Sequence, residues 1–189
     1  MPGDRANIIL GIDPGTLITG YGIIGLKNRQ LHLMEMGTLR LGHIVNAYEK
    51  LRLIYTKVSA LIQEYQPGAF AIEAPFYGKN VQSMLKLGRA QGVAIAAAMQ
   101  AGLPVCEYSP KKIKQSVTGN GNASKEQIWQ MLERQLDFHE KPQYYDATDA
   151  VAVAVCHHYQ IKTTLLSPGG TSKDWKAYIE KHPEKLFRK

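Results

Sequence analysis

From Ile8 to Ile12 the chain runs Ile-Ile-Leu-Gly-Ile without a polar residue and then stops at Asp13-Pro14-Gly15-Thr16, a cluster of turn formers. A β-branched run bounded by turn residues predicts a strand. Thr19 to Leu26 predicts a second strand and Leu31 to Leu39 a third, with the polar turn Lys27-Asn28-Arg29-Gln30 between them, as in an antiparallel meander. At Asn46 the period changes. Leu51, Ile54, Val58, Leu61, Ile62 and Tyr65 recur at helical spacing until Pro67-Gly68, which predicts a helix over 46–66. Ala69 to Glu73 then predicts a short buried strand, 74–79 a loop and 80–101 a second helix. Gly88, Ala90, Gly92, Ala94, Ala96, Ala97 and Ala98 give that helix little bulk, so another backbone can come close. Leu103 to Tyr108 is a further strand, Lys111 to Asn122 a basic loop, and Ser124 an N-cap for a helix from Lys125 to Leu136. A helix from Gln143 to Tyr159 closes the order βββαβαβαα. This is an α/β fold, a mixed five-stranded sheet with helices on both faces.

Four carboxylates stand out against this pattern. The two-residue period of a strand puts Ile9, Gly11 and Asp13 on one face, and Ala69, Ala71 and Glu73 on one face of the fourth strand. Each acid therefore ends a buried strand, where an ionised carboxylate is costly unless it is paired or bound to a cation. Asp146 and Asp149 lie three apart on one helical face that continues through Ala150, Val153, Ala154 and His157. Like charges at that spacing repel, and a divalent cation would reverse the sign. An all-oxygen set suits Mg²⁺ or Mn²⁺ rather than Zn²⁺, and two such ions roughly 4 Å apart serve phosphodiester hydrolysis. Taken singly, each acid reads as structural: Asp13 as a turn former, Glu73 as a salt-bridge partner, Asp146 or Asp149 on a solvated face. Taken together they read as catalytic.

Composition narrows the partner. The chain has 189 residues, of which 44% are hydrophobic and 21% charged, the balance of an ordinary globular domain. No apolar run is long enough to span a bilayer and the N-terminus has no secretory pattern, so the expected location is the cytoplasm. Cys106 and Cys156 lie in apolar contexts and are expected to be buried, reduced thiols. A net charge of +7 favours an anionic partner such as nucleic acid. From Lys162 onward seven Lys or Arg face three acids, so the tail carries +4 of it. The expected organisation is a nuclease domain over 1–161 and a basic tail over 162–189, either flexible or a short helix presenting Trp175, Tyr178 and Ile179.

The stretches ILGIDPGTLITGYGII, AIEAPFYGKNVQSMLKLGRAQGVAIAAA, PVCEYSPKKIKQSVTGNGNASKEQI and YYDATDAVAVAVCHH, in that order, resemble the RuvC family of bacterial crossover-junction endodeoxyribonucleases, which resolve Holliday junctions. The resemblance covers nearly all of residues 8–160. DPGT alone is weak, because actin-like ATPases and sugar kinases carry a similar phosphate loop; such proteins need two duplicated halves, and this length holds one. The resemblance implies an RNase H-like fold and two Mg²⁺ ions per active site, with Mn²⁺ able to substitute, held by Asp13, Glu73, Asp146 and Asp149. Where some members have His in place of the third acid, this chain keeps Asp146. It further implies junction DNA contacts by Phe76, Lys114 and Lys125; Lys111 and Lys112 stand alongside in a stretch without acids, a cluster that favours phosphate contact, and Lys79, Lys86 and Arg89 would extend the track. Phe76 reads equally as a cap on the local core, and Pro75 departs from the commoner neighbour. Helix 80–101 matches the element through which the family forms homodimers, although packing on the sheet explains its small residues equally well. The branch-migration proteins RuvA and RuvB are implied as partners. Glu107 is read as structural, and His139, His157 and His158 as loop or helix-end residues. A nuclease for RNA–DNA hybrids or ribosomal RNA precursors is the alternative, since it would share the acids.

Overall fold

A computed structural model of the chain describes residues 7–28, 30–75, 80–138 and 145–166, with side chains as far as Ile161. The chain divides into two units, Met1–His158 and Tyr159–Lys189, and the fold described is that of the first. Its elements are β1 (Ile8–Asp13), β2 (Ile18–Lys27), β3 (Gln30–Arg40), α1 (Ala47–Tyr65), β4 (Ala69–Glu73), α2 (Val81–Gln100), β5 (Val105–Tyr108), α3 (Pro110–Thr118), α4 (Lys125–Leu136) and α5 (Tyr145–Leu166). The strands lie in the order β3-β2-β1-β4-β5. β1, β2 and β3 pair antiparallel, the expected meander, whereas β4 joins β1 and β5 joins β4 in parallel.

Alternation along the strands divides the core in two. Leu10, Ile12, Ile23, Phe70 and Ile72 pack with Ile54, Val58, Leu61 and Ile62 of α1 and with Ala90, Ala94, Ala97 and Ala98 of α2. Burying each large side chain of this set contributes roughly 1.5–3 kcal/mol. The other face carries Gly11, Gly20 and Gly22, which register places together: Gly11 pairs with Gly22, and Asp13 with Gly20. Here α5 lies backbone against backbone. A Cβ on Gly11 would stand 2.2 Å from the carbonyl oxygen of Ala150, one on Gly20 1.9 Å from that of Asp146, and one on Gly22 2.7 Å from the amide nitrogen of Val151. Only glycine fits at these three positions.

Three expectations change. Residues 111–118 are not loop but part of α3: the Ser109 hydroxyl accepts from the Lys112 amide at 3.3 Å, Pro110 opens the helix, and Gly119 at φ 77 closes it. Ile113 and Val117, one turn apart, bury its inner face. α5 runs to Leu166 instead of ending at Tyr159, so His157 is no helix-end residue. It is buried, with Nδ1 2.8 Å from the Tyr108 hydroxyl. The small residues of α2 also separate into two groups. Ala90, Ala94, Ala97 and Ala98 are buried, but Gly88 and Gly92 are exposed and a Cβ on either would meet nothing within 4 Å. Packing within the chain therefore explains these four alanines and not the glycines.

Gly11→Ala is expected to destabilise the protein by about 3 kcal/mol, because an added methyl overlaps α5 backbone that has no rotamer to yield. Thermal denaturation checks this; a melting temperature equal to that of the parent would mean that α5 does not sit on β1.

Candidate active site

Asp13 is the last residue of β1 and Glu73 the last of the parallel β4, whose register Ile12 to Ile72 leaves the two acids side by side. Their face is the one that α5 covers. At Gly20 the sheet admits the Asp146 carbonyl, so the first turn of α5 is brought over the strand end, with Asp149 one turn further on. Within that turn the buried Thr148 hydroxyl donates to the Tyr145 carbonyl at 2.8 Å. An acid in the first turn, Asp146, also suits the positive end of the helix dipole. The loop after Asp13 is held by its own bonds: the buried Thr19 hydroxyl donates to the Gly15 carbonyl at 2.8 Å, and Lys50 Nζ donates to the Thr16 carbonyl at 3.1 Å.

The carboxylates sense one another strongly. Burial, then the charges of Glu73, Asp149 and Asp146, push Asp13 up to about 8. Burial, then the charge of Asp149, pushes Glu73 up to about 7. Asp149 is raised by burial, partly offset by Lys125, whose Nζ lies 2.6 Å from Asp149 Oδ2. Burial works against the Lys125 ammonium, but its bond to Asp149 and the charges of Asp146 and Asp13 hold it above its ordinary range. Lys125 is the first residue of α4, placed by a capping box in which Ser124 and Gln127 satisfy each other's backbone amides. Lys114 Nζ donates to the Ala123 carbonyl at 2.8 Å, tying α3 to the start of α4. One cleft is lined by Asp13, Glu73, Asp149, Lys114 and Lys125, with Ile113 and Ile128 among its apolar walls.

The structure thus gathers the four predicted acids at one end of the sheet, with two of the predicted lysines. Lys111 and Lys112 are exposed on α3 and do not line the cleft, because the helix points them away from Lys114. Phe76, Lys79 and His139 lie outside the described residues. Glu107 accepts from the buried Gln91 amide at 2.7 Å, tying β5 to α2. The glycines that admit α5 were missed as functional residues, although glycine at alternate positions inside a strand, as at Gly20 and Gly22, signals a close backbone approach.

The donor set, carboxylate oxygens throughout, fits a hard divalent cation. Their shared, unfavourable charge fits it too. Among the described residues, however, no three acid, imidazole or thiol groups surround a common point as they stand. Asp149 is turned to Lys125, which neutralises part of the cluster.

The family model of crossover junction endodeoxyribonuclease RuvC matches residues 9–157. The chain belongs to the RuvC family. It is similar to the crossover junction endodeoxyribonuclease RuvC of Cytophaga hutchinsonii, 54% identical over 179 residues that cover 95% of this chain and 88% of that protein. The RuvC of Porphyromonas gingivalis is 48% identical over 185 residues, 96% of this chain and 98% of the relative. Among solved structures, Thermus thermophilus RuvC in complex with a Holliday junction substrate aligns with a TM-score of 0.78 at 29% identity, covering 84% of this chain and 96% of that one. These relationships establish the RNase H-like fold that the sequence implied.

Asp13 binds its proton more tightly in the folded state than in the unfolded chain. Its contribution to stability is therefore present below its ordinary value of 3.8 and is lost as pH rises through about 8. Asp13→Asn in EDTA is expected to match the parent near pH 4 and to exceed it by about 1–3 kcal/mol at pH 8. Denaturant unfolding at both pH values checks this; no gain at pH 8 would mean that the acid is already compensated.

Proposed function

We propose that this RuvC-family chain is a structure-selective endonuclease that resolves Holliday junctions by symmetric phosphodiester hydrolysis, in DNA recombination and repair in the cytoplasm. The observation that carries the reading is the convergence of Asp13, Glu73 and Asp149 on one cleft with Lys114 and Lys125. Asp13, Glu73, Asp146 and Asp149 would hold two divalent cations, Mg²⁺ with Mn²⁺ able to substitute. When bound, these supply Lewis-acid activation of a water and neutralise charge on the leaving oxygen. The chain's own residues do the rest. Lys114 and Lys125 present ammonium groups at the cleft, where a scissile phosphate is drawn in and held against the repulsion of the acids. Lys125 also orients the Asp149 carboxylate and offsets part of the burial that opposes its ionisation. Hydrolysis leaves a 5′-phosphate and a 3′-hydroxyl.

Cutting two strands of a two-fold symmetric junction calls for two such sites in an isologous dimer. The exposed stripe Leu85, Gly88, Gly92, Ala96 and Met99 along α2 suits that contact, since its glycines face solvent and would let two helices approach closely. RuvA and RuvB, implied by the family resemblance, would deliver the junction, and Phe76 would meet its bases. The basic segment 162–189 would add a sequence-independent hold on DNA.

A synthetic four-way junction, a matched linear duplex and an RNA–DNA hybrid, each with Mg²⁺ or EDTA, test the reading. Paired, Mg²⁺-dependent nicks in the junction alone are expected, and equal cutting of the hybrid would favour the RNase H-type alternative. Asp146→Asn is expected to lose cleavage at least 100-fold while keeping junction affinity within about threefold, since metal ligation and phosphate contacts are separable. Gly92→Arg is expected to convert a dimer to a monomer in light scattering; an unchanged mass would place the dimer contact elsewhere.

A further inference from the structure

At the end of the sheet where β1 delivers Asp13 lies a second groove that shares no lining residue with the catalytic cleft, and of its residues only Lys86 and Arg89 have been given a DNA-binding role, as an extension of the track. Leu17, Val45, Tyr48, Lys50, Lys86 and Arg89 line it, where the loop after β1 meets the start of α1 and the outer side of α2. Two features set it apart from ordinary surface. Large apolar groups stand open to solvent: Val45 is 99% exposed, Tyr48 77% and Leu17 62%. Three cations share the lining and no carboxylate does. The acid nearest in sequence, Glu49, is committed to Arg52, with its two oxygens accepting from the guanidinium. Exposed apolar surface alone would not name an occupant. An aromatic ring with three unopposed cations is the composition that binds a nucleic-acid strand, the ring stacking on a base or sugar and the cations meeting successive phosphates.

Position points the same way. Thr16 and Leu17 follow Asp13 by three and four residues, and the Lys50 ammonium bonded to the Thr16 carbonyl at 3.1 Å joins the floor of the groove to the loop that carries the catalytic acid. The groove therefore lies at the acid-bearing end of the sheet, on the side of α1 and α2. Lys86 and Arg89 lie on α2 beside the stripe Leu85, Gly88 and Gly92, so in a dimer built on that stripe each groove flanks the two-fold axis.

We infer that this groove is a second DNA-binding site, which holds a strand of the junction outside the catalytic cleft, with Tyr48 as its stacking residue and Lys86 and Arg89 as its phosphate contacts. The inference rests on the junction-resolving function proposed for the chain and deepens it.

The test measures affinity of the full-length protein for a fluorescent four-way junction over a range of salt, with Ca²⁺ in place of Mg²⁺. Lys86→Ala with Arg89→Ala is expected to weaken binding roughly tenfold or more and to flatten the plot of log affinity against log salt by about 0.9 for each phosphate no longer neutralised. Tyr48→Ala is expected to weaken binding severalfold with the salt slope kept, which a change in charge alone would not produce. Lys27→Ala, a cation at the opposite end of the sheet, controls for net charge and is expected to change neither. A photo-crosslinking residue at position 48 is expected to label junction DNA. Parent-like affinity and slope in both groove variants would overturn the inference while leaving the resolvase function intact. Failure of the parent itself to prefer the junction would sink the resolvase function instead. Loss of the dimer in Tyr48→Ala, or crosslinking to protein in place of DNA, would make the groove a protein interface and likewise overturn the inference.

Discussion

At Gly11, Gly20 and Gly22 the sheet and α5 meet main chain to main chain, and the candidate active site depends on that approach. Side chains normally hold a helix away from a sheet. Here register aligns Gly11 with Gly22 and sets Gly20 opposite Asp13, so three missing Cβ atoms form one bed. The helix drops into it until the Asp146 carbonyl occupies space that a methyl on Gly20 would need. As a result a helix that follows β1 by more than a hundred residues in sequence delivers its acids to the end of that strand. The apolar face that packs on α1 and α2 sets how stable the sheet is, and the glycine face sets what it can do.

That arrangement has an electrostatic cost which the protein carries instead of removing. Asp13 and Glu73 are raised to about 8 and 7 because burial and neighbouring acids oppose their ionisation. An ordinary fold would replace such a cluster with neutral residues, and concentrations of perturbed carboxylates mark functional sites for that reason. Lys125 offsets part of the repulsion, and its position at the first turn of α4 is fixed by a capping box, so the compensating charge is built into a helix start. On the proposed function, a lysine in that place would have a double use: it steadies the acids without a cation and would meet a phosphate with one.

Much of this was legible in the sequence where short-range periodicity decides the outcome. The meander, α1, β4 and α4 followed from alternation, helical spacing and caps. The acids were legible because Asp13 and Glu73 end buried strands, where polarity conflicts with burial, and Asp146 and Asp149 share one helical face. α3 was not, because Lys111, Lys112 and Lys114 with nearby glycines outweighed its short signal, a Ser-Pro start and the pair Ile113 and Val117. Placing those lysines in a loop also merged into one cluster three residues that the helix sends to different sides. His157 was misjudged for a related reason: the polar run His157-His158-Tyr159-Gln160 resembles a helix end, but α5 continues past it. The Lys125–Asp149 pair, separated by 24 residues, depends on how α4 and α5 lie on the sheet, and no local pattern encodes that.

On the proposed function, the glycine bed would assemble a cation site whose acids Lys125 steadies. Crystals soaked in Mn²⁺, with anomalous difference density recorded at the end of the sheet, test this most directly. Mn²⁺ peaks are expected among Asp13, Glu73, Asp146 and Asp149, with Asp149 released from Lys125. Density elsewhere on the surface, or an intact Lys125–Asp149 pair with no ion beside it at saturating Mn²⁺, would contradict it.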